Sequence, residues 1–161
     1  MRPLKIELQN FGPYEDTVVD FEEFDKRSLF LVSGNTGAGK TTIFDAMCYA
    51  LFGKTTSEQR SATALRSDFA APDKETRVTF TFQHQEQTYR IMRKPKQTLI
   101  GRRGRPVDHN QAVELIYPLE SDQPHAITKI KEADAFITDL LNLTRDQFQQ
   151  IVLLQIGRAH V

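Results

Sequence analysis

Apolar and polar residues alternate over residues 4–8 and 77–82, the period of a half-buried β-strand, and three other short stretches also predict strands. The predicted strands comprise residues 4–8, 17–21, 77–82, 88–93 and 112–117. The third and fourth strands are separated by a short polar stretch, which predicts an antiparallel hairpin with His84 as a solvated turn residue. The turn between the first two strands is predicted at Asn10 to Pro13.

Two further regions carry apolar residues at intervals of three and four, the spacing of one helix face. The first follows residue 40, and Gly53 is placed to end that helix. The second predicts a helix over residues 130–141 with Thr128 as its cap. After it, Thr144-x-x-Gln147 has the spacing of a capping box, which predicts the start of another helical segment.

The stretch before the first helix has the order strand, glycine loop, helix. An apolar segment at residues 29–32 leads into Gly34-x-x-x-x-Gly39-Lys40-Thr41, and the helical pattern opens at Lys40. Glycines allow successive backbone N–H groups to turn towards phosphate oxygens, and a helix N-terminus attracts anions. A glycine loop that merely joins a strand to a helix is the alternative, but the complete order favours a phosphate-binding P-loop.

The motif predicts a role for each residue type. Lys40 would neutralise the β- and γ-phosphates as the catalytic residue, and the Thr41 hydroxyl would coordinate Mg²⁺. Thr42 would bind on the α-phosphate side. The predicted nucleotide-binding residues are Gly34, Asn35, Thr36, Gly37, Ala38, Gly39, Lys40, Thr41 and Thr42.

Composition changes this picture little. The 161 residues suffice for one domain, and 21 basic against 21 acidic side chains give no general argument for a nucleic acid or a membrane partner. Cys48, the single cysteine, stands at an apolar helical position and is predicted to be a buried, unreactive thiol. No apolar stretch reaches the length of a membrane span and no signal peptide is visible, which predicts a soluble, cytoplasmic protein.

One local cluster of charge is an exception to this balance. The stretch from Arg93 to Arg105 contains six basic and no acidic residues, and its glycines suggest a flexible loop. It is either a solvated loop or a contact with DNA phosphates through Arg102, Arg103 and Arg105, independent of base sequence. Residues 54–74 are also polar, and predict a surface segment near the base or ribose of the nucleotide.

The sequence resembles the SbcC family, the ATPase subunits of the SbcCD DNA exonuclease and relatives of the SMC proteins. The most specific similarity extends from Ser33 to Gly53 and contains the P-loop. Leu65-Arg66-Ser67-Asp68 and the stretch from Asp146 to Leu154 are also similar. The resemblance covers residues 1–154 continuously and in the family's order.

The resemblance implies the N-terminal lobe of an ABC/SMC-type ATPase head, an α/β P-loop NTPase fold with a mixed sheet and an antiparallel hairpin. It also implies ATP and Mg²⁺ as cofactors, and an SbcD-type nuclease subunit, DNA and a second copy of the head as partners. The implied function is the processing of DNA double-strand breaks and hairpins through regulation of the nuclease. Because the family's Walker B carboxylates and signature motif are absent from this sequence, we expect the chain alone not to hydrolyse ATP efficiently.

Residues 155–161 depart from the family pattern. The family continues from the position of Leu154 with Pro-Gln-Gly, whose glutamine helps to coordinate the metal, whereas Gln155 follows here. The seven residues to Val161 resemble a translated sequencing-adapter oligonucleotide. We therefore expect residues 1–154 to form the ATPase lobe and residues 155–161 to be a non-native tail, with no role for Gln155 or His160.

Two other functions stay open from the residues. An unrelated P-loop NTPase, such as a transporter ATPase or a small-molecule kinase, would continue compactly rather than into a long coiled coil. A non-catalytic DNA-binding module with a relic P-loop would bind DNA equally well when Lys40 is replaced by alanine.

Overall fold

The computed structural model describes residues 1–22, 37–54, 66–67, 70–148 and 150, and for residues 37–42 it describes the backbone alone. The predicted P-loop strand at residues 29–32 lies outside the described residues, as does the tail at 155–161. Within the described ranges, no helix is both long and apolar enough to cross a membrane.

The described elements with defined bounds are two helices and eight strands, in two sheets, and a further helical segment begins at residue 145. The strands are β1 (Arg2–Phe11), β2 (Tyr14–Asp20), β3 (Arg77–His84), β4 (Gln87–Lys94), β5 (Gln97–Ile100), β6 (Pro106–His109), β7 (Ala112–Tyr117) and β8 (His125–Ile127). The helices are α1 (Gly37–Phe52) and α2 (Ile130–Leu141). The larger sheet has the order β2-β1-β3-β4-β7-β8, and β5 pairs with β6 in the smaller one.

This arrangement confirms the α/β class. Every pairing among the described strands is antiparallel. The described strands therefore do not include the parallel strand that would make the sheet mixed. The predicted P-loop strand lies outside the described residues.

The core lies between one face of the larger sheet and the two helices. Alternate residues of each strand point to this face, as their period of two requires, and are buried. α1 packs on β1, β3 and β4, and α2 packs on α1 and β7. The inward apolar residues of the first four sheet strands in order include Val19, Ile6, Leu8, Val78, Phe80, Phe82, Tyr89 and Ile91. The opposite face carries polar and half-exposed side chains such as Lys5 and Glu7.

The predicted hairpin is confirmed as β3 and β4, but its turn is shorter than predicted. Gln85 and Glu86 alone form the turn, with φ of 49° and 67°, the left-handed pair that a two-residue hairpin loop needs. His84 is the last residue of β3 and is half-buried, so the prediction of a solvated turn residue was wrong. Pairing of β3 with β4 continues to the end of the strand and draws His84 into the sheet.

The helix ends agree with the sequence in part. α1 begins at Gly37 rather than at Lys40, and it ends as predicted, since Gly53 has a φ of 70° and donates its N–H to Tyr49 O at 2.8 Å. α2 has the predicted bounds, but Thr128 is not its cap. Lys129 occupies that position without a side-chain hydrogen bond.

The predicted capping box is confirmed at the following helical segment, which begins at residue 145. The Thr144 N–H donates to Gln147 Oε1 at 3.0 Å, and the Gln147 N–H donates to Thr144 Oγ1 at 3.2 Å. The two residues therefore satisfy two backbone donors that the helix itself leaves unpaired.

The basic stretch is not a flexible loop. Its first residue, Arg93, belongs to β4, and β5 and β6 form a separate hairpin closed by residues 101–105. The Gly101 N–H donates to Arg105 O at 2.8 Å, and Gly104 takes a φ of 72° that lets the chain turn back. The prediction failed because β5 and β6 have only four residues each, too few for a period of two to be recognised.

Part of the predicted surface segment at 54–74 is instead packed against the end of β1. Arg66 forms a β-bridge with Phe11, and the Ser67 N–H donates to Asn10 O at 3.0 Å. The Arg66 guanidinium donates to Ala71 O at 2.9 Å and to Thr76 Oγ1 at 3.1 Å. Ser67 is buried and Arg66 is half-buried, so this part of the segment is packed rather than fully solvated.

Candidate functional site

The N-terminus of α1 brings together the second part of the predicted P-loop. The backbone of residues 37–42 forms the first turns of the helix, and this part of the chain contributes no acidic residue to the first turn. Free N–H groups and the positive end of the helix dipole therefore meet no opposing carboxylate from that turn. Gly34, Asn35 and Thr36 lie outside the described residues, and the side chains of 37–42 are not described.

The helix behind this end is buried on most sides, as the sequence predicted. Ala46 and Ala50 have no exposed surface, and their small side chains allow the helix to approach its neighbours closely. Cys48 is also buried, and burial, with a contribution from Asp45, raises the pKa of its thiol to about 12. The thiol is therefore protonated and unreactive near neutral pH, which confirms the prediction.

A buried arginine from the sheet contacts the C-terminal end of α1. The guanidinium of Arg93 on β4 donates through Nε to Ala50 O at 2.7 Å and through Nη2 to Leu51 O at 3.2 Å. Nη2 also forms an ion pair with Asp134 Oδ1 on α2 at 2.6 Å. Arg93 is 3% exposed, so one buried cation joins β4, α1 and α2.

The segment that follows α2 packs against the same end of α1. Phe148 is buried, and its ring meets the ring of Phe52 edge-on at a centroid distance of 5.7 Å. Arg145 lies close enough to the Cys48 thiol to lower its pKa against the effect of Asp45. The capping box at residue 144 therefore starts a helical segment whose first turn is held against α1.

The arginines proposed to contact DNA lie elsewhere. Arg102, Arg103 and Arg105 are exposed at the tip of the β5–β6 hairpin. At its base Thr98 donates a hydrogen bond to Asp108 at 2.6 Å. These three guanidinium groups therefore face solvent, whereas the guanidinium of Arg93 is buried.

Arg93 is the buried cation that composition does not reveal, because it is one of six basic residues in a single stretch. The strand pattern contains the signal that could have found it. Tyr89, Ile91 and Arg93 alternate with more exposed residues, so Arg93 stands at an inward position of its strand. A cation at such a position needs buried acceptors.

Comparison with known proteins agrees with this geometry. The family model described as AAA domain matches residues 5–160. The chain belongs to the AAA domain family. Membership supports nucleotide use by this AAA domain and places it in a class of ATPase modules.

Individual relatives are more specific. Over 158 residues the AAA domain is 42% identical to the SbcC subunit of nuclease SbcCD from Lactococcus lactis subsp. lactis strain IL1403, covering 96% of this chain and 15% of the relative. Over 157 residues it is 39% identical to the SbcC subunit of nuclease SbcCD from Staphylococcus aureus strain JH9, covering 98% and 15% respectively. The resemblance to SbcC-type proteins is thereby confirmed. The chain spans about 15% of the length of these curated relatives.

Proposed function

We propose that this chain is the nucleotide-binding lobe of the ATPase head of an SbcC-type nuclease subunit, and that it binds ATP with Mg²⁺ at the N-terminus of α1. The observation that carries the proposal is the position of the P-loop sequence. Residues 37–42 of that motif form the start of a helix whose remainder is buried against the sheet. Such a helix end offers N–H groups and a positive dipole to phosphate oxygens.

The residues of the motif fit this ligand. Lys40 would hold the β- and γ-phosphates as a point charge, and the Thr41 hydroxyl would be a ligand of Mg²⁺. Bound Mg²⁺ would supply neutralisation of phosphate charge. The backbone N–H groups from Gly34 to Thr42 would complete the phosphate site, with Thr42 on the α-phosphate side.

The remaining parts of the proposal follow from the relatives, which are SbcC subunits of nuclease SbcCD. We propose an SbcD-type nuclease subunit and a second copy of the head as partners, and DNA-end and hairpin processing in the cytoplasm as the role. Hydrolysis would need carboxylates outside this sequence, so the chain alone would bind ATP without efficient turnover.

DNA is proposed to contact the tip of the β5–β6 hairpin. Arg102, Arg103 and Arg105 are exposed there, within four consecutive residues. Guanidinium groups at a protruding turn can reach successive phosphates, and each contact releases counterions. Such a contact would position DNA without reading its sequence.

The test of the nucleotide site compares two lysine variants of the full-length protein by calorimetric titration with MgATP. Lys40→Ala removes the proposed phosphate contact at the start of α1, and we expect at least a hundredfold loss of affinity. Lys54→Ala is the matched control, because Lys54 is exposed just beyond the other end of the same helix. Equal affinity of the wild type and Lys40→Ala would contradict the proposal.

The boundary at residue 154 is also a proposal. Residues 155–161 are proposed to be non-native, because they replace the family's Pro-Gln-Gly with a sequence that resembles a translated adapter. Sequencing of genomic DNA across codon 154 tests this. A proline codon next supports the proposal, and a codon for Gln155 contradicts it.

A further inference from the structure

The C-terminal end of α1 lacks a charge of its own. The last carbonyl groups of any helix have no partner within the helix and form the negative end of its dipole. α1 has no basic residue in its last turn. Arg93 supplies the cation instead, from β4, and its donors reach the carbonyl groups of Ala50 and Leu51.

Gly53 makes room for this contact. A Cβ at residue 53 would lie 3.0 Å from Nη1 of Arg93 and 3.5 Å from its Cζ. Gly53 also needs its φ of 70°, which a residue with a Cβ adopts only with strain. The end of α1 is therefore shaped around the guanidinium.

Hydrogen bonds at the C-terminal end of α1 also affect the position of its N-terminal end. α1 has 16 residues, so at about 1.5 Å per residue it is a rod of about 24 Å. Its apolar contacts with the sheet resist separation and limit sliding through side-chain packing, but they are not directional. Hydrogen bonds from a guanidinium on β4 to two successive carbonyl groups fix both the axial position and the rotation of the rod.

We propose that Arg93 is a positioning residue for the phosphate site, acting through α1 and not touching the nucleotide. This inference rests on the proposed nucleotide site at the other end of the helix. Arg93 holds the helix at its C-terminus so that the N–H groups of its first turn keep one position relative to the sheet. Asp134 orients the guanidinium from α2.

The experiment measures MgATP affinity of the full-length protein by calorimetry, at a temperature at which hydrogen exchange shows every variant to be folded. Arg93→Gln is expected to weaken binding at least tenfold. Arg93→Lys keeps the charge, but one ammonium group cannot reach both carbonyl groups and Asp134, so a smaller loss of threefold or more is expected. Asp134→Asn leaves the bonds to Ala50 and Leu51 in place and should lose less than Arg93→Gln.

Two controls separate positioning from general stability. Arg90→Gln changes an exposed arginine on the same strand and should leave affinity unchanged. Ile127→Ala removes buried apolar atoms from β8, the edge strand two positions from β4, which destabilises the core away from Arg93, and should also leave affinity unchanged in the folded protein.

The measured affinities distinguish positioning of the phosphate site by Arg93 from a general contribution to stability. If Arg93→Gln binds MgATP within twofold of the wild type, or if Ile127→Ala weakens binding equally, Arg93 stabilises the fold and does not position the site. If Arg93→Gln does not fold, unchanged affinity of Arg93→Lys overturns the inference equally well. Unchanged affinity of Lys40→Ala would instead show that the nucleotide site itself is wrongly assigned.

Discussion

Arg93 and the arginines of the hairpin tip belong to one basic stretch of the sequence but occupy opposite environments. Arg93 is buried, with acceptors from two helices around its guanidinium. Arg102, Arg103 and Arg105 are exposed on a hairpin that pairs only with itself among the described strands. The guanidinium of Arg93 therefore fixes a helix, whereas those of Arg102, Arg103 and Arg105 remain accessible to a partner.

These two environments show that strand register, rather than local charge, decides whether a basic residue is buried or exposed. Along β4 the inward positions are occupied by Tyr89, Ile91 and Arg93, and the next residue, Lys94, points away and pairs with Glu75 at 3.0 Å. Shifting the register by one would exchange the environments of Arg93 and Lys94.

The largest effect on stability is expected at the buried arginine. Arg93→Ala leaves the carbonyl groups of Ala50 and Leu51 without their side-chain donor in a buried place, and we expect a loss of about 2–4 kcal/mol in the free energy of local opening of α1. Hydrogen exchange of α1 amides in the full-length protein measures it. Arg90→Ala is the control. An equal effect of both variants would contradict the distinction between the buried arginine that binds α1 and an exposed arginine on the same strand.

A smaller effect is expected at the capping box. Thr144→Ala removes the acceptor of the Gln147 N–H and should cost about 1 kcal/mol. Because this segment packs on the end of α1 through Phe148, exchange should accelerate in peptides from residues 144–148 and, more weakly, in the last turn of α1. Thr144→Ser keeps the hydroxyl and should behave as the wild type; faster exchange in the serine variant would count against the capping role.

Neutralising the arginines at the hairpin tip tests the exposed part of the basic stretch. Replacing Arg102, Arg103 and Arg105 together with glutamine should change stability by less than about 0.5 kcal/mol, since surface side chains contribute little. The slope of log affinity for duplex DNA against log salt should become shallower by about 2–3 if each arginine contacts one phosphate.

The matched control removes three exposed basic groups elsewhere. These are Arg90, Lys129 and Lys131. Their replacement with glutamine should leave the slope nearly unchanged. If the two triple variants change the salt slope equally, the hairpin arginines contribute only as part of the overall positive charge. If the hairpin variant leaves the slope unchanged, the proposed DNA contact is rejected.

The smallest effect concerns His84, which is half-buried. Its Nδ1 is buried and has no hydrogen-bond partner among the described residues, and burial, followed by the N-terminal charge, lowers the pKa of His84 from 6.5. The unfolded chain then binds more protons than the folded one below about pH 6.5, so stability falls as pH decreases through that range.

His84→Gln should remove this part of the pH dependence, measured as the exchange rate of β3 amides between pH 7 and pH 5 after correction for intrinsic rates. His109→Gln, at an exposed residue of β6, should leave it in place. A pH profile of His84→Gln that matches the wild type would show that the neutral state of His84 has no energetic consequence.

Much of the fold was predictable because long elements carry strong periods. The bounds of β7 and α2 agree with the sequence, and so do Gly53 and the capping box. The elements that were missed are short: β8 has three residues, and β5 and β6 have four each. Over so few residues a period of two cannot be distinguished from chance.

The sequence predicts which residues form the candidate site, and this stays a prediction, whereas the contacts that support its helix could not be predicted. The P-loop motif names its residues through glycine spacing and Lys40-Thr41, which local chemistry requires. The contact of Arg93 with Ala50 at the far end of α1 joins residues 43 positions apart, and only the folded register brings them together. Thr128 failed as a cap because the chain enters α2 one residue later, at Lys129.

The most direct test of a phosphate site at the start of α1 is hydrogen exchange of the full-length protein with and without MgATP. We expect protection of amides in residues 34–44, no change in the β5–β6 hairpin, and loss of the protection in Lys40→Ala. Protection of the hairpin without protection of residues 34–44, or the same protection in Lys40→Ala, would contradict this site.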